Sequence, residues 1–222
     1  MALDFSFLAK FQYAFALGLW MTIQITLVCV ILGTALGFVT GLARTSQSRV
    51  LRGIATVYVD VFRGTPVLIQ LFWIFFCLPL ILGTELPNFA SACIALTLYM
   101  GAITSETFRS SLRQVGREQM DACVALGLPW RVQITNVILP QAVLRAVPPL
   151  LSNCISLFKE SALVSAVGVA DLMFVGQNIS NNTARPVEVL SIVALIYFAL
   201  CWPLSKSSQI LERKLNVAHR GH

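Results

Sequence analysis

The sequence predicts an all-α membrane protein with five transmembrane helices, because of its composition, its long uncharged runs and the placement of its positive charges. The 222 residues are 57% hydrophobic and only 12% charged, and their mean hydropathy is +0.78. Soluble domains normally carry about 25% charged residues. Backbone groups that face lipid must be paired within the segment, so helices are the expected spans. We therefore expect residues 1–222 to form a single transmembrane domain.

The first span is predicted inside the uncharged run Phe11–Ala43, at about Phe15 to Thr40. About 20 apolar residues cross a bilayer as a helix, and this run is too long for the core of a signal peptide, so we expect it to be retained. Four later runs predict the second to fifth spans, and the fourth span of the protein is interrupted near its middle by Lys159 and Glu160. These runs are Gly64–Thr84, Leu86–Ser105, Ala146–Phe158 with Ser161–Ala170, and Val189–Ser205.

Three glycines recur at four-residue spacing in the first span, at Gly33, Gly37 and Gly41. Such spacing places all three on one helix face and lets another backbone approach closely. The pattern predicts close packing against a second helix and indicates nothing about function.

The positive charges predict the orientation of the spans. Most of the sixteen Lys and Arg residues fall in the segments 44–52, 109–145 and 206–220, which follow the first, third and fifth spans. The opposite ends of the spans carry only Lys10 and Arg185. The positive-inside rule then places the N-terminus outside and the C-terminus in the cytoplasm, and an odd number of spans agrees with this.

Several classes of site are not indicated. The six cysteines include no Cys-x-x-Cys pair, and the two histidines, His219 and His222, lie in the C-terminal tail, so no metal site is expected. No basic cluster is interleaved with aromatic residues in a polar context, and we expect no nucleic-acid partner. No nucleophile has an evident base nearby, which argues against a membrane-embedded enzyme.

The segment 121–140 is too polar for a span. Gly127 can end one helix, and Pro129 can begin the next at its first position. The segment therefore predicts two short amphipathic helices joined by a tight turn, neither of them long enough to span. From the residues alone, it is either a docking element for another protein or an interfacial loop on the lipid headgroups.

This segment resembles the EAA loop of ABC-importer permeases, with Asp121-Ala122-Cys123, then Gly127, then Val137-Ile138-Leu139-Pro140. Asp121 stands in place of Glu, and Cys123 in place of the second Ala. Further stretches are similar to signatures of the polar amino acid uptake subfamily. They are Phe62-Arg63-Gly64-Thr65-Pro66-Val67-Leu68-Ile69-Gln70, Ser105-Glu106 with Arg109, Gln119, and Leu157-Phe158-Lys159-Glu160-Ser161-Ala162-Leu163.

The resemblance implies the type I ABC importer permease fold and a permease subunit in the bacterial inner membrane. The segment from about 116 to 141 would be its cytoplasmic EAA-type helix-turn-helix coupling loop. The implied partners are a second permease, identical or related, a cytoplasmic dimer of ATP-binding subunits, an extracytoplasmic binding protein and an amino acid substrate. The sequence contains no Walker A motif, so we expect no cofactor on this chain and ATP on the partner. The residues expected to contact the ATPase are Asp121, Ala122, Leu126, Gly127 and Trp130.

Charged residues within spans are costly and usually functional. Glu160 is therefore the main candidate for binding the ammonium group of an amino acid, with Ser161 or backbone amides at the helix break as donors to its carboxylate. Lys159, Thr65 and Glu106 are further substrate-binding candidates. An internal ion pair that only fixes helix packing is the alternative reading of Lys159 and Glu160. Asp60 with Arg63, and Glu106 with Arg109, are spaced to pair along a helix.

The alternative function is a secondary transporter, or half of one, for small polar solutes. Such proteins need coupling-ion sites and usually contain internal repeats. The sequence shows no such repeat, and the importer is the preferred interpretation.

Overall fold

The computed structural model describes residues 10–115 and 117–220, and its regular structure there is helical. Eight helices follow one another within these described residues. They are α1 (Gln12–Ala43), α2 (Arg49–Gly64), α3 (Val67–Leu82), α4 (Asn88–Gln114), α5 (Arg117–Ala125), α6 (Trp130–Val167), α7 (Leu172–Thr183) and α8 (Pro186–Arg220). Within the described residues, four helices are long and apolar enough to span a membrane, and the bent pair α2–α3, counted as one, gives the predicted five.

Helices α1 and α4 form the closest helix pair of the bundle and run parallel. A Cβ atom at Gly33 would lie 2.6 Å from the Cβ of Met100, and one at Gly37 would lie 2.5 Å from the Cβ of Thr104. No real Cβ fits at these distances, so the glycines let the two backbones touch. The predicted packing face of the first span is confirmed. Around it lies an apolar core that includes Ile25, Cys29, Leu71, Leu96, Met100 and Leu157.

The second span has an unpredicted helix in front of it. Helix α2 carries a strongly one-sided apolar pattern, ends at Gly64 and meets α3 at an angle of 110°. Pro66 lies at the N-cap of α3 in extended conformation. Because the chain turns at Thr65 and Pro66, the predicted run from Gly64 begins three residues before α3 and omits α2.

Two prolines inside helices are each preceded by a wider π-helical turn. In α3 this turn covers Trp73–Cys77, ahead of Pro79, and Leu78 N–H donates to the Trp73 carbonyl five residues back. In α6 it covers Gln133–Ile138, ahead of Pro140. A proline lacks an N–H and its ring crowds the preceding turn, and a π turn relieves both constraints without ending the helix.

The second predicted short helix therefore does not stop at Pro140. It continues into the fourth span as one helix, α6, so the expectation that it is too short to span is wrong. The break expected at the charged pair is present as a change of helix type. Helix α6 is α-helical as far as Glu160 and then tightens into a 3₁₀ helix, Ser161–Val167. Glu160 is thus the last residue before the tighter segment that ends α6.

A short helix, α7, packs between α1 and α8 next to that end. Gly168 reverses the chain with a φ of +75°. Asp171, which is fully buried, then caps α7 by accepting a hydrogen bond from Phe174 N–H at 2.9 Å. The hydroxyl of Tyr197 on α8 donates to the other carboxylate oxygen at 3.4 Å. Thr22 on α1 accepts a hydrogen bond from Leu172 N–H, so α7 is held from both sides.

Candidate functional site

Glu160 and Tyr99 form a polar contact between the antiparallel helices α4 and α6. The Tyr99 hydroxyl donates to Glu160 Oε1 at 2.9 Å. Glu160 Oε2 is buried and has no hydrogen-bond partner among the described residues. An ionised carboxylate in an apolar setting is costly unless its oxygens are paired. Glu160 therefore offers an acceptor that the described residues leave unused.

A second contact continues the polar line along the same two helices. Asn153 Nδ2 donates to Thr107 Oγ1 at 2.9 Å. Asn153 lies two turns before Glu160 on α6, and Thr107 lies about two turns after Tyr99 on α4. Seven residues return a helix to almost the same face, so these groups share one interhelical seam. The seam supplies hydrogen-bonding groups over roughly 10 Å of membrane depth.

Lys159 and Ser161, the neighbours of Glu160, face elsewhere. Lys159 is exposed and lines a cavity of about 300 Å³ with α8 residues that include Tyr197 and Cys201. Lys159 and Glu160, both in the described part of the chain, form no ion pair. Ser161 is buried, and its hydroxyl donates to the Phe158 carbonyl at 2.8 Å. Its backbone N–H donates within the helix to the carbonyls of Leu157 and Lys159.

Thr65 lies at the α2–α3 bend, where Gln70 holds the two helices together. Gln70 Nε2 contacts the carbonyl oxygens of Phe62 and Thr65 and the Thr65 hydroxyl at 2.8–2.9 Å. The Thr65 hydroxyl itself donates to the Val61 carbonyl. Gln70 is almost fully buried, so it satisfies the last carbonyls of α2 where water is scarce. Thr65 is part of the hinge geometry of this bend.

Glu106 is surrounded by three guanidinium groups, which we call the arginine cluster: Arg44, Arg63 and Arg109. Their Nη1 atoms lie 2.6, 3.6 and 3.5 Å from the same oxygen, Glu106 Oε2. The expected Glu106–Arg109 pair is confirmed. The Asp60–Arg63 pairing is not, because the side chain of Arg63 reaches across to α4. The cluster ties α1, α2 and α4 together at one end of the bundle.

The segment 121–140 contains the predicted tight turn. Gly127 has a φ of +65°, its N–H donates to the Val124 carbonyl, and Leu128 N–H donates to the Cys123 carbonyl. These two bonds form a Schellman motif, so Gly127 is the C′ residue as predicted. Pro129 is the N-cap of α6, and Trp130, not Pro129, is its first helical residue. Gln133 Nε2 donates to the Leu128 carbonyl at 2.6 Å and closes the turn.

The residues expected to form a docking surface are all exposed on this turn: Asp121, Ala122, Leu126, Gly127 and Trp130. Leu126 is 75% exposed and Trp130 64% exposed. On the opposite side, Cys123 and Ile138 are buried and face the bundle. The turn is thus a hydrogen-bonded projection with an apolar tip.

Sequence reasoning missed the roles of four residues in these sites. Tyr99 and Asn153 lie in apolar runs with no motif around them, and only the fold shows their partners. Gln70 was part of the quoted second-helix signature, but its link to Thr65 depends on the bend. Arg44 was counted only as a positive charge that follows α1, although it is buried against Glu106.

Comparisons with known proteins find transport permease proteins that match this chain over most of its length. The arginine transport system permease protein ArtQ of Bacillus subtilis (strain 168) is 38% identical over 216 residues, covering 97% of this chain and 98% of that protein. The L-cystine transport system permease protein TcyB of the same organism is 39% identical over 200 residues, covering 90% and 85%. A putative glutamine transport system permease protein GlnP of Rickettsia felis is 35% identical over 90% of this chain and 92% of its own length.

Among solved structures, a chain from the crystal structure of an amino acid ABC transporter with histidines superposes with a TM-score of 0.92. It is 33% identical and covers 96% of this chain and 100% of its own. A chain of the inward-facing methionine ABC transporter MetNI has a TM-score of 0.77 at 21% identity, covering 93% and 98%, and supports the fold alone. The predicted type I ABC importer permease fold is confirmed.

The family assignment follows from these matches and from a family model that covers most of the chain. That model describes the inner membrane component of binding-protein-dependent transport systems and matches residues 33–217. The predicted kind of protein, a multi-pass permease subunit, is confirmed at this level. This chain belongs to the family of binding-protein-dependent transport system inner membrane components.

Proposed function

We propose that this chain forms part of the translocation pathway of an ATP-driven amino acid importer. The observation that carries the proposal is the half-buried carboxylate of Glu160, whose Oε2 is buried and unpaired among the described residues. The relatives of this chain are named as arginine, cystine and glutamine transport permeases. A substrate ammonium group is the natural complement of such an acceptor. Amino acids of every kind carry this group.

In this proposal Glu160 Oε2 binds the ammonium group, and Tyr99 fixes the orientation of the carboxylate through Oε1. Ser161 positions Glu160, because its hydroxyl and N–H bonds set the turn where α6 tightens. Thr65 and Glu106 act at a distance, through the α2–α3 bend and the arginine cluster. Lys159 faces α8 and shapes the helix contact on the far side of α6.

The projecting turn at Gly127 is proposed as the contact with a cytoplasmic ATP-binding subunit. Its exposed Leu126 and Trp130 supply an apolar tip, and Asp121 supplies a charge beside it. Large exposed aromatic residues of this kind anchor protein interfaces. Because Trp130 is the first residue of α6, a displacement of the turn passes directly into the helix that carries Glu160.

The proposed assembly contains a second permease subunit, an ATP-binding subunit dimer and an extracytoplasmic amino-acid-binding protein. ATP is bound and hydrolysed by the partner subunits, and this chain carries no cofactor of its own. The positive charges favour a bacterial inner membrane orientation with the N-terminus outside and the C-terminus in the cytoplasm.

The test is reconstitution of the complete transporter in vesicles, with uptake expressed per assembled complex. Glu160→Gln keeps the size of the side chain and removes its charge, and it should lower uptake at least tenfold. Stimulation of ATPase activity by the loaded binding protein should survive. Glu85→Gln, at an exposed carboxylate, is the matched control and should leave uptake unchanged.

Unchanged uptake by a well-assembled Glu160→Gln complex would remove Glu160 from the substrate site. Loss of assembly that is rescued by neutralising a basic residue would instead mean a packing role. Uptake by this chain without any ATP-binding subunit, driven by an ion gradient, would favour the alternative of a secondary transporter.

A further inference from the structure

We infer that the α2–α3 bend and α4 together bind an anionic phospholipid, with its phosphate on the arginine cluster and an acyl chain in the neighbouring apolar groove. This site is separate from Glu160 and does not depend on which solute is carried. Three features support it: the charge of the cluster, the shape of the groove and the spacing between them.

The arginine cluster has more positive than negative charge. Three guanidinium groups surround one carboxylate, so two positive charges are left without a counter-charge at Glu106. The side chain of Arg44 is only 3% exposed and serves to hold Glu106, whereas those of Arg63 and Arg109 are 46% and 30% exposed. Guanidinium groups suit phosphate oxygens because their N–H groups form a planar fork. Arg63 and Arg109 are therefore placed to bind a phosphate.

The groove beside the cluster is apolar. It has a volume of about 480 Å³, and Phe62, Trp73, Ile94 and Leu98 are among its lining residues. The polar Nε2 of Gln70 and the Thr65 hydroxyl, which also lie there, are engaged with each other and with backbone carbonyls. Trp73 is 49% exposed, so an occupant would contact its ring. Such a surface suits a hydrocarbon chain.

Helix α4 sets the distance between the two parts. Glu106 lies 18 residues after Asn88, which is about 27 Å along the helix and close to the ~30 Å thickness of the hydrocarbon core. The cluster therefore lies near a membrane boundary, where headgroup phosphates lie. Leu98 is eight residues nearer the membrane centre, at about 12 Å from Glu106. A lipid whose phosphate contacts the cluster would extend its chain along the groove.

Charge favours a lipid over a second copy of this chain as the occupant. A copy related by a two-fold axis through this face would bring an identical cluster with the same excess of positive charge. An anionic phosphate neutralises that excess, and basic pockets between transmembrane helices are a recurring mode of anionic lipid binding.

The experiment uses fluorescence of Trp73 in the full chain, after Trp20, Trp130 and Trp202 are replaced by Phe. The protein is placed in phosphatidylcholine bilayers that contain brominated phosphatidylglycerol or brominated phosphatidylcholine. At equal content of brominated lipid, brominated phosphatidylglycerol should quench Trp73 several-fold more efficiently than brominated phosphatidylcholine. Arg63→Gln should bring the ratio of the two quenching efficiencies, phosphatidylglycerol over phosphatidylcholine, to about one. Arg109→Gln should lower this ratio at least twofold. Arg52→Gln, at an exposed arginine on α2 outside the cluster, should preserve it.

Each other outcome overturns the proposal. Equal quenching of Trp73 by both lipids, in protein with an unmodified arginine cluster, would mean that lipids contact the groove without selectivity. No quenching by either would mean that a protein partner covers the groove. A ratio that survives in both Arg63→Gln and Arg109→Gln would exclude the cluster as the phosphate partner. A ratio abolished by excess inorganic phosphate would mean a site for free anions, not for lipid.

Discussion

Tyr99 donates its hydroxyl hydrogen to one oxygen of Glu160, while the second oxygen is buried and unpaired within the described residues. The two residues belong to different spans, so their contact also joins α4 to α6. A half-satisfied carboxylate in the bundle is destabilising unless something else completes it. Because one oxygen of Glu160 remains unpaired, the seam between α4 and α6 is the place where substrate binding should be tested.

Removal of the Tyr99 hydroxyl should weaken substrate binding. In Tyr99→Phe, Glu160 keeps its charge but loses the donor that fixes its orientation. A hydrogen bond to a charged group contributes about 1.5–3 kcal/mol, so half-saturation of uptake should rise roughly tenfold or more. Tyr58→Phe is the control, since that hydroxyl donates to the Leu98 carbonyl on the α2 side of α4. Equal losses in both variants would indicate a general packing effect.

Gly127 should be required for its backbone conformation alone. A Cβ at this position meets nothing within 4 Å, but a φ of +65° costs roughly 1–2 kcal/mol for an L-residue and more for a β-branched one. Gly127→Val should therefore insert normally and abolish transport, whereas Gly127→Asn should keep much of it. Gly53→Val, at an equally open position inside α2, should be mild. Near wild-type uptake by Gly127→Val vesicles would contradict the docking role.

Gly37 should be sensitive for the opposite reason. A Cβ there would collide with Thr104 and lie 2.8 Å from the Gly101 carbonyl oxygen. Gly37→Ala should therefore lower the free energy of unfolding by about 1–3 kcal/mol, as overpacking commonly does. Gly41→Ala, whose nearest contact would be 3.3 Å, should cost less. Equilibrium unfolding in mixed micelles would measure both, and an inverted order would refute the proposed helix contact.

The stability of the α7 region should fall as pH rises between about 4 and 6. Burial raises the pKa of the Asp171 carboxyl to about 6, against about 3.9 in an unfolded chain. The folded state therefore binds more protons in this window, and the stabilisation present below pH 4 is lost as pH rises through 6. One proton accounts for at most about 1.4 kcal/mol per pH unit. Hydrogen exchange of α7 amides would measure the change.

Asp171→Asn should remove that pH dependence while it keeps the cap on α7, since an amide oxygen also accepts from Phe174 N–H. Asp60→Asn, at an exposed aspartate on α2, should leave it in place. The same pH profile in wild-type and Asp171→Asn protein would assign the effect to another group.

The orientation can be tested with single cysteines at exposed positions in a background without the native ones. Gln47→Cys and Gln209→Cys should react with an impermeant reagent only from the cytoplasmic side, and Asn182→Cys only from outside. We expect this because the segments placed on the cytoplasmic side carry most of the Lys and Arg residues. Reaction of Gln47→Cys from outside would reverse the topology.

The sequence predicted the features that depend on local pattern. The Gly33–Gly37–Gly41 face follows from helical periodicity, and the turn at Gly127 follows from the need for a positive φ between two apolar faces. The charge-free runs located the spans because lipid excludes charge over the whole length of a helix. These constraints act over a few turns of chain and are therefore visible in the letters.

The features that depend on tertiary geometry were not predicted. The second helix of the segment 121–140 was expected to be too short to span, yet a π turn accommodates Pro140, and α6 continues. Arg63 was expected to pair with Asp60 one turn away, but the bend at Thr65 directs it to Glu106. Gln70 and Tyr99 acquire partners only when α2, α4 and α6 come together. A sequence shows which side chains could form such contacts. Which partner each side chain binds depends on the neighbours that the fold brings next to it.

The continuity of α6 gives the chain a mechanical property. Trp130 and Glu160 lie on one continuous helix, about 45 Å apart along it, with one end in the projecting turn and the other at the carboxylate that contacts Tyr99. A rotation of only about 5° around the first end would sweep the second through about 4 Å, which is more than the length of a hydrogen bond. A small swivel at the projecting turn would thus suffice to make or break a contact deep in the helix bundle, with no need for the helix to unwind.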